Sequence, residues 1–135
     1  MKKITMKAVV ESIPAVTEFV DGVLESIDCP MRALMQINVA IDEIFSNIAH
    51  YAYPGKEGEA TVQVSFDEQK RTVTICFRDR GVPYNSLDKT DPDVSLPAVE
   101  RAVGGLGIFL VKKLMDNITY EYADGMNILC ISKNV

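Results

Sequence analysis

The chain has 135 residues, 47% of them hydrophobic and 24% charged, and a formal net charge of −5. That length fits one domain, residues 1–135, around one core, and the composition is that of a globular chain. The acidic balance, with no cluster of Lys or Arg to offset it, argues against direct nucleic-acid binding and against an anionic membrane surface.

The opening MKKITMKAVVES has no unbroken apolar run, and no window approaches the roughly 20 apolar residues of a membrane span, so a cytoplasmic protein is expected. Cys29, Cys76 and Cys130 are odd in number and far apart, with no C-x-x-C pair. Three buried, reduced thiols are the expectation. The one histidine, His50, excludes a His-based zinc site.

Lys3 to Val9 reads as a first strand. Pro14 suits the first turn of a helix running to about Asp28, with Phe19, Val20, Val23, Leu24 and Ile27 on its apolar side. Cys29-Pro30 breaks it, and a long helix from about Met31 to Tyr53 follows. Leu34, Ile37, Ile41, Ile44 and Ile48 recur at steps of three and four and form its core stripe. Glu43, Asn47 and His50 lie on the other side. Glu43 and Asn47, one turn apart, should stand about 5 to 6 Å from each other at Cβ, which is the outline of a site or of a solvated face. Pro54-Gly55 ends this helix.

The period then changes to two. Val62, Val64 and Phe66 alternate, DEQKR turns the chain, and Val73, Ile75 and Phe77 alternate again, giving an antiparallel hairpin. Asp79 continues the odd positions of the second strand, so its carboxylate points to the apolar side and needs a donor, unless the strand has already ended in a turn. From Arg80 to Val103 there is no sustained pattern, as in a functional lid or a disordered loop. Gly104-Gly105-Leu106-Gly107 then opens a helix, IFLVKKLMD, with Phe109, Leu110, Leu114 and Met115 among its apolar positions. Glycines at a helix start form a candidate phosphate cradle, because free N–H groups there face an anion; neither the Walker P-loop nor the Rossmann pattern is present. Tyr120 to Ala123, an Asp124-Gly125 turn and Met126 to Ser132 complete a last hairpin. The fold expected is an α/β (α+β) two-layer sandwich, with helices on one face of a mixed, largely antiparallel sheet.

Three motifs in order, Glu43-Ile-Phe-Ser-Asn47, Asp79-Arg-Gly81-Val-Pro83 and Gly104-Gly105-Leu106-Gly107-Ile108, carry a further inference. A chain with these in sequence resembles the Bergerat-type ATP-binding domain of gyrase, Hsp90, histidine kinases and mismatch-repair ATPases. Within that superfamily it is most similar to the small anti-sigma factor serine protein kinases. The resemblance implies that Asp79 accepts a hydrogen bond from the adenine amino group and that Gly81, with Pro83 beside it, lets the base lie against the backbone. It further implies that Asn47 offers its oxygen to Mg²⁺, that Gly104, Gly105, Leu106, Gly107 and Ile108 surround the phosphates of ATP, and that Glu43 is the general base. Asp42 lies about 100° away around the helix and is discounted. Two positions depart from the pattern. Relatives commonly carry a basic residue where this chain has Tyr51, and many carry Thr after the last hairpin's glycine, where Met126 and Asn127 follow Gly125; Asn127 is the residue available for that support of adenine.

The implied function is that of a serine kinase and anti-sigma regulator, with a sigma factor or comparable regulator and a small anti-anti-sigma-type phosphoacceptor protein as partners, working as a homodimer. The alternatives are a nucleotide-gated binding module without phosphotransfer, and histidine-kinase-type transfer to a separate acceptor.

Overall fold

The computed structural model describes residues 1–88 and 105–135. Strand β1 (Lys2–Lys7) leads through a short 3-10 turn (Val10–Ser12) into helix α1 (Ile13–Ser26), whose Pro14 sits in the first turn, where a missing N–H costs nothing. Helix α2 (Met31–Tyr51) follows after Asp28, which takes a left-handed backbone (φ 55°), and Pro30, which caps the helix. Strands β2 (Glu59–Asp67) and β3 (Thr72–Asp79) form the first hairpin, helix α3 (Gly105–Leu114) comes next, and β4 (Asn117–Ala123) and β5 (Met126–Asn134) form the second. Asp124 and Gly125, both at positive φ (54° and 75°), make the tight turn between them.

The five strands form one sheet in the order β1-β2-β3-β5-β4, and all four pairings are antiparallel. The non-consecutive neighbours β3 and β5 are the sheet's centre. Strand parity separates its two faces. Val62, Val64, Val73, Ile75, Phe77, Leu129 and Ile131 are buried with Val16, Val20 and Leu24 of α1 and Ile37, Ile41, Ile44 and Phe45 of α2, so the helices cover one face only. The opposite face carries Thr61, Gln63, Thr74, Arg78 and Ser132, all half-buried.

Three expectations change. Cys76 and Cys130 are not separate thiols: they are directly opposed on β3 and β5, with Cα atoms 4.1 Å apart, and are joined as a disulfide on the uncovered face. Their 54-residue separation hid a pairing that only the sheet order creates; Cys29 is the free thiol. Among the α3 residues whose side chains are described, Ile108 and Val111 are fully buried, with Met115 behind them, whereas Leu110 is exposed. Ten residues offer too little periodicity to place a helix face unaided. Finally, most of the stretch expected to be a lid, and Gly104 with it, lies outside the described residues.

Candidate functional site

The parity argument for Asp79 holds: β3 runs through it, and the residue is 5% exposed on the helix-covered face. Burial pushes its carboxyl above the ordinary carboxylate range, and two donors oppose that shift: the Asn127 amide Nδ2 at 2.9 Å and the Gly81 N–H at 2.9 Å, both on Oδ1. Asp79 and Asn127 are register partners across β3 and β5. Both bonds fall on the same oxygen, so Oδ2 is the atom that faces a ligand's donor.

Asn127 is the hub of this end of the site. Its Nδ2 also donates to the Val82 carbonyl at 2.8 Å, while its Oδ1 accepts from the Tyr84 N–H at 3.0 Å and from the Tyr120 hydroxyl. One buried side chain therefore ties β3, β4, β5 and the chain after Gly81 together. Satisfied on both its oxygen and its nitrogen, it adds rigidity instead of a desolvation cost.

Gly81 is needed for a reason the resemblance did not supply. A Cβ there would collide with the Ala52 carbonyl at the end of α2, and the next residue's N–H donates to that same carbonyl at 2.8 Å. Tyr53 fastens the junction further, donating to the Glu59 carbonyl at 2.6 Å and accepting from the Arg80 N–H at 2.9 Å. Pro83 is exposed and does not line the cavity.

Asn47 is not on a wet face. It is 7% exposed and walls a cavity with Asp79, Asn127, Tyr84, Ser86 and Tyr120. Its Nδ2 donates to Glu43 Oε1 at 3.3 Å, which leaves its Oδ1 as the atom it can offer. Asp42 is exposed, as the helix geometry required. Gly107, in the first turn of α3, abuts Glu43: a Cβ at Gly107 would land inside the Glu43 carboxyl group. The carboxylate of α2 thus faces the glycine turn of α3, and Asn47 connects that pair to the cavity.

The remaining candidates divide. Gly105 begins α3, and Ile108 packs in the core instead of lining the cavity. Tyr51 is 40% exposed and stacks on Tyr84, with ring centroids 4.8 Å apart and planes at 24°. Three cavity residues escaped sequence reasoning. Tyr120 shares strand parity with Ile118 and could have been found; Tyr84 and Ser86 lie in a segment without periodicity and left no signal.

An acid and two amides walling one cavity, with a carboxylate one helical turn before Asn47 set against a glycine turn, on this sheet and these helices, fit a nucleotide-processing class. A family model described as the histidine kinase-like ATPase domain matches residues 6–133, and the chain belongs to that family. Among curated proteins it is similar to Serine-protein kinase RsbW of Bacillus cereus (strain B4264), at 32% identity over 95% of this chain and 82% of that protein. It is also similar to Serine-protein kinase RsbW of Listeria monocytogenes serovar 1/2a (strain ATCC BAA-679 / EGD-e), at 27% identity over 87% of this chain and 81% of that one. Among solved structures, the histidine kinase domain from the Erythrobacter litoralis EL346 blue-light activated histidine kinase shares the fold, with a TM-score of 0.58 at 12% identity over 90% of this chain and 60% of that chain.

Proposed function

We propose that this chain is an ATP-dependent protein serine kinase that acts as an anti-sigma factor or similar partner-switching regulator, phosphorylating a small antagonist protein. The observation that carries the reading is the convergence of three separated stretches of chain: Asp79 and Asn47 wall one cavity, and Asn47 bonds to Glu43, which abuts Gly107. The family match and the serine-protein kinase relatives support it.

In this reading Asp79 Oδ2 accepts from the exocyclic amine of adenine, and the pair with Asn127 holds that oxygen in place. The N-terminal turn of α3 receives the phosphates, where N–H groups without helical partners and the helix dipole favour negative charge. Asn47 Oδ1 fits a hard cation such as Mg²⁺, which takes oxygen ligands and shares phosphate oxygens, so one protein ligand suffices; when bound, the ion offsets phosphate charge. Glu43 takes the proton of the attacking serine hydroxyl, and its contact with Gly107 sets the distance from base to phosphate. One domain over residues 1–135, a homodimer and a cytoplasmic location belong to the same proposal.

Two measurements test it. Calorimetry with Mg-ATP should give binding to the wild type that Asp79→Asn weakens at least about 30-fold. Incubation with ATP and candidate partner proteins should give phosphoserine on one of them that disappears in Glu43→Ala. Nucleotide-dependent partner binding that survives Glu43→Ala, with no phosphoserine on any partner, would replace the kinase by a nucleotide-gated binding module.

A further inference from the structure

The helices leave one face of the sheet uncovered, and at its β1 side a cleft of about 450 Å³ opens across β1, β2 and β3. Thr5, Thr61 and Arg78 are register partners across the three strands, and Lys3 faces Gln63 in the next outward row. Arg80, just past the end of β3, lines the cleft as well. Because β3 alternates, Arg78 lies on the far side of the sheet from the Asp79 carboxyl group and the cavity beside it.

This cleft is rich in donors and short of acceptors. Arg78 Nη1 donates to Gln63 Oε1 at 3.1 Å, which engages that amide's oxygen and leaves its Nε2 and the other guanidinium N–H groups to donate elsewhere. The Thr5 and Thr61 hydroxyls bond each other at 2.8 Å, so one of the two keeps a hydrogen to donate. Lys3 and Arg80 are exposed, and among the described residues neither they nor Arg78 has a carboxylate within ion-pair distance. Glu59 supplies one carboxylate to the lining; that of Asp79 is held by Gly81 and Asn127 on the other face. Three cations and one free acid thus reverse, locally, the sign of a chain whose net charge is −5.

We propose that this cleft docks a short, acidic, extended segment of a partner protein, whose carboxylates take the donors of Arg78, Lys3 and Arg80. The Arg78 guanidinium is already held by Gln63, so it loses less freedom on pairing with a carboxylate than a loose side chain would. A long polyanion such as nucleic acid would run past the cleft onto the rest of an acidic molecule and be repelled there, whereas a segment with a few carboxylates meets only the cations. The assignment stands apart from the nucleotide reading, because the two sites lie on opposite faces of the sheet.

The test is fluorescence anisotropy of the full chain with a short labelled peptide of alternating Asp and Ser, which lines its carboxylates along one side when extended. A peptide of alternating Asn and Ser is the uncharged control. The Asp peptide should bind at low ionic strength and bind more weakly as salt is added. Arg78→Gln should weaken it about tenfold, as for loss of a charged hydrogen-bond partner, and Lys3→Gln, an exposed and screened charge, about twofold. Lys70→Gln removes the same charge at the β2–β3 turn and should leave binding as it was. Melting curves check folding, and the exposed Lys3 variant still reports if Arg78→Gln unfolds. Failure of the wild type to bind the Asp peptide, equal binding of the Asn peptide, or equal weakening by Lys70→Gln overturns the proposal. Tighter binding of a short single-stranded oligonucleotide assigns the cleft to nucleic acid, and slower or faster sedimentation of Arg78→Gln with no peptide bound by the wild type assigns it to a second copy; either overturns it too.

Discussion

Gly107→Ala isolates the contact on which the proposed chemistry depends. The added Cβ would lie closer than 3.0 Å to three atoms of the Glu43 carboxyl group, an approach that real Cβ atoms essentially never make. Either α3 moves away from α2 or the carboxylate rotates. Ile108 and Val111, fully buried, anchor α3, and withdrawing the helix would strip contacts from both at a cost of several kcal/mol. Rotating the end of a Glu side chain costs about 1 kcal/mol or less, and giving up the long bond from Asn47 adds on the order of 1 kcal/mol, still less than withdrawing the helix. The carboxylate yields, while alanine in place of helical glycine returns up to about 1 kcal/mol. Thermal stability should consequently stay within a few degrees of wild type. Activity should not: a general base displaced by about 1 Å loses on the order of 100-fold in rate. The assay is phosphotransfer to the antagonist protein at saturating Mg-ATP, paired with calorimetric melting. Phosphotransfer within threefold of wild type would refute the role given to the Glu43–Gly107 contact, and a large fall in melting temperature would show that the helix moved and the carboxylate stayed.

Further expectations concern the Asp79 end of the site and the disulfide on the far face of the sheet behind it. Asp79→Asn keeps an oxygen for Asn127 and Gly81 but turns the remaining acceptor into a donor, so it should weaken Mg-ATP binding by at least about 30-fold without lowering stability at neutral pH. The sign with pH follows from the raised folded value: the carboxyl is neutral in both states below about 3.8, and its contribution to stability is lost as pH rises from there through the higher value in the folded chain. Urea titrations across acid pH should accordingly show wild type losing stability relative to Asp79→Asn as pH increases, and a gap that moves the other way would contradict the burial argument. Gly81→Ala drives a Cβ into the Ala52 carbonyl, which is backbone and cannot rotate away, and should cost on the order of 2 kcal/mol together with nucleotide binding. Reducing the disulfide, or replacing both partners by serine, frees a loop closed across 54 residues, worth roughly 4 kcal/mol on a chain-entropy basis and on the order of 10 °C in melting temperature; an identical melting point with and without dithiothreitol would mean that the bond adds nothing to the strand pairing.

What the sequence disclosed was local. The stripe on α2, the two hairpins, the turn at Asp124-Gly125 and the inward direction of Asp79 all follow from periodicity or turn chemistry within a dozen residues. What it concealed depends on β5 lying beside β3. That neighbour relation is separated in the chain by α3 and β4, and it brings Asn127 onto Asp79 and Cys130 onto Cys76 in the same register. Asn127 shares parity with Leu129 and Ile131, so its inward direction was readable, but its partner was not. Helix geometry left Asn47 open between a site and a wet face for a related reason. That geometry places it off the core stripe, and among the described residues it is the sheet and the return of the chain at Tyr84 and Ser86 that wall the cavity beside it. Polar residues on a helix say nothing about what a distant segment will lay over them.

The two ends of the site are built from different materials, which makes their functions separable. The proposed base end stands on β3 and β5, the sheet's central pair, where the Asp79–Asn127 bond lies on one face and the Cys76–Cys130 bond on the other, three positions along the same strands. Strands joined from both faces give a fixed acceptor, which is what discrimination by a single hydrogen bond needs. The phosphate end stands on a helix-to-helix approach that a single methyl group would disturb. On the proposed assignment, substitutions at the sheet change which ligand binds while substitutions at Gly107 and Glu43 change how fast a bound one reacts. A Glu43→Gln variant that binds Mg-ATP as tightly as wild type yet transfers nothing would satisfy that division, and one that lost binding and transfer together would break it.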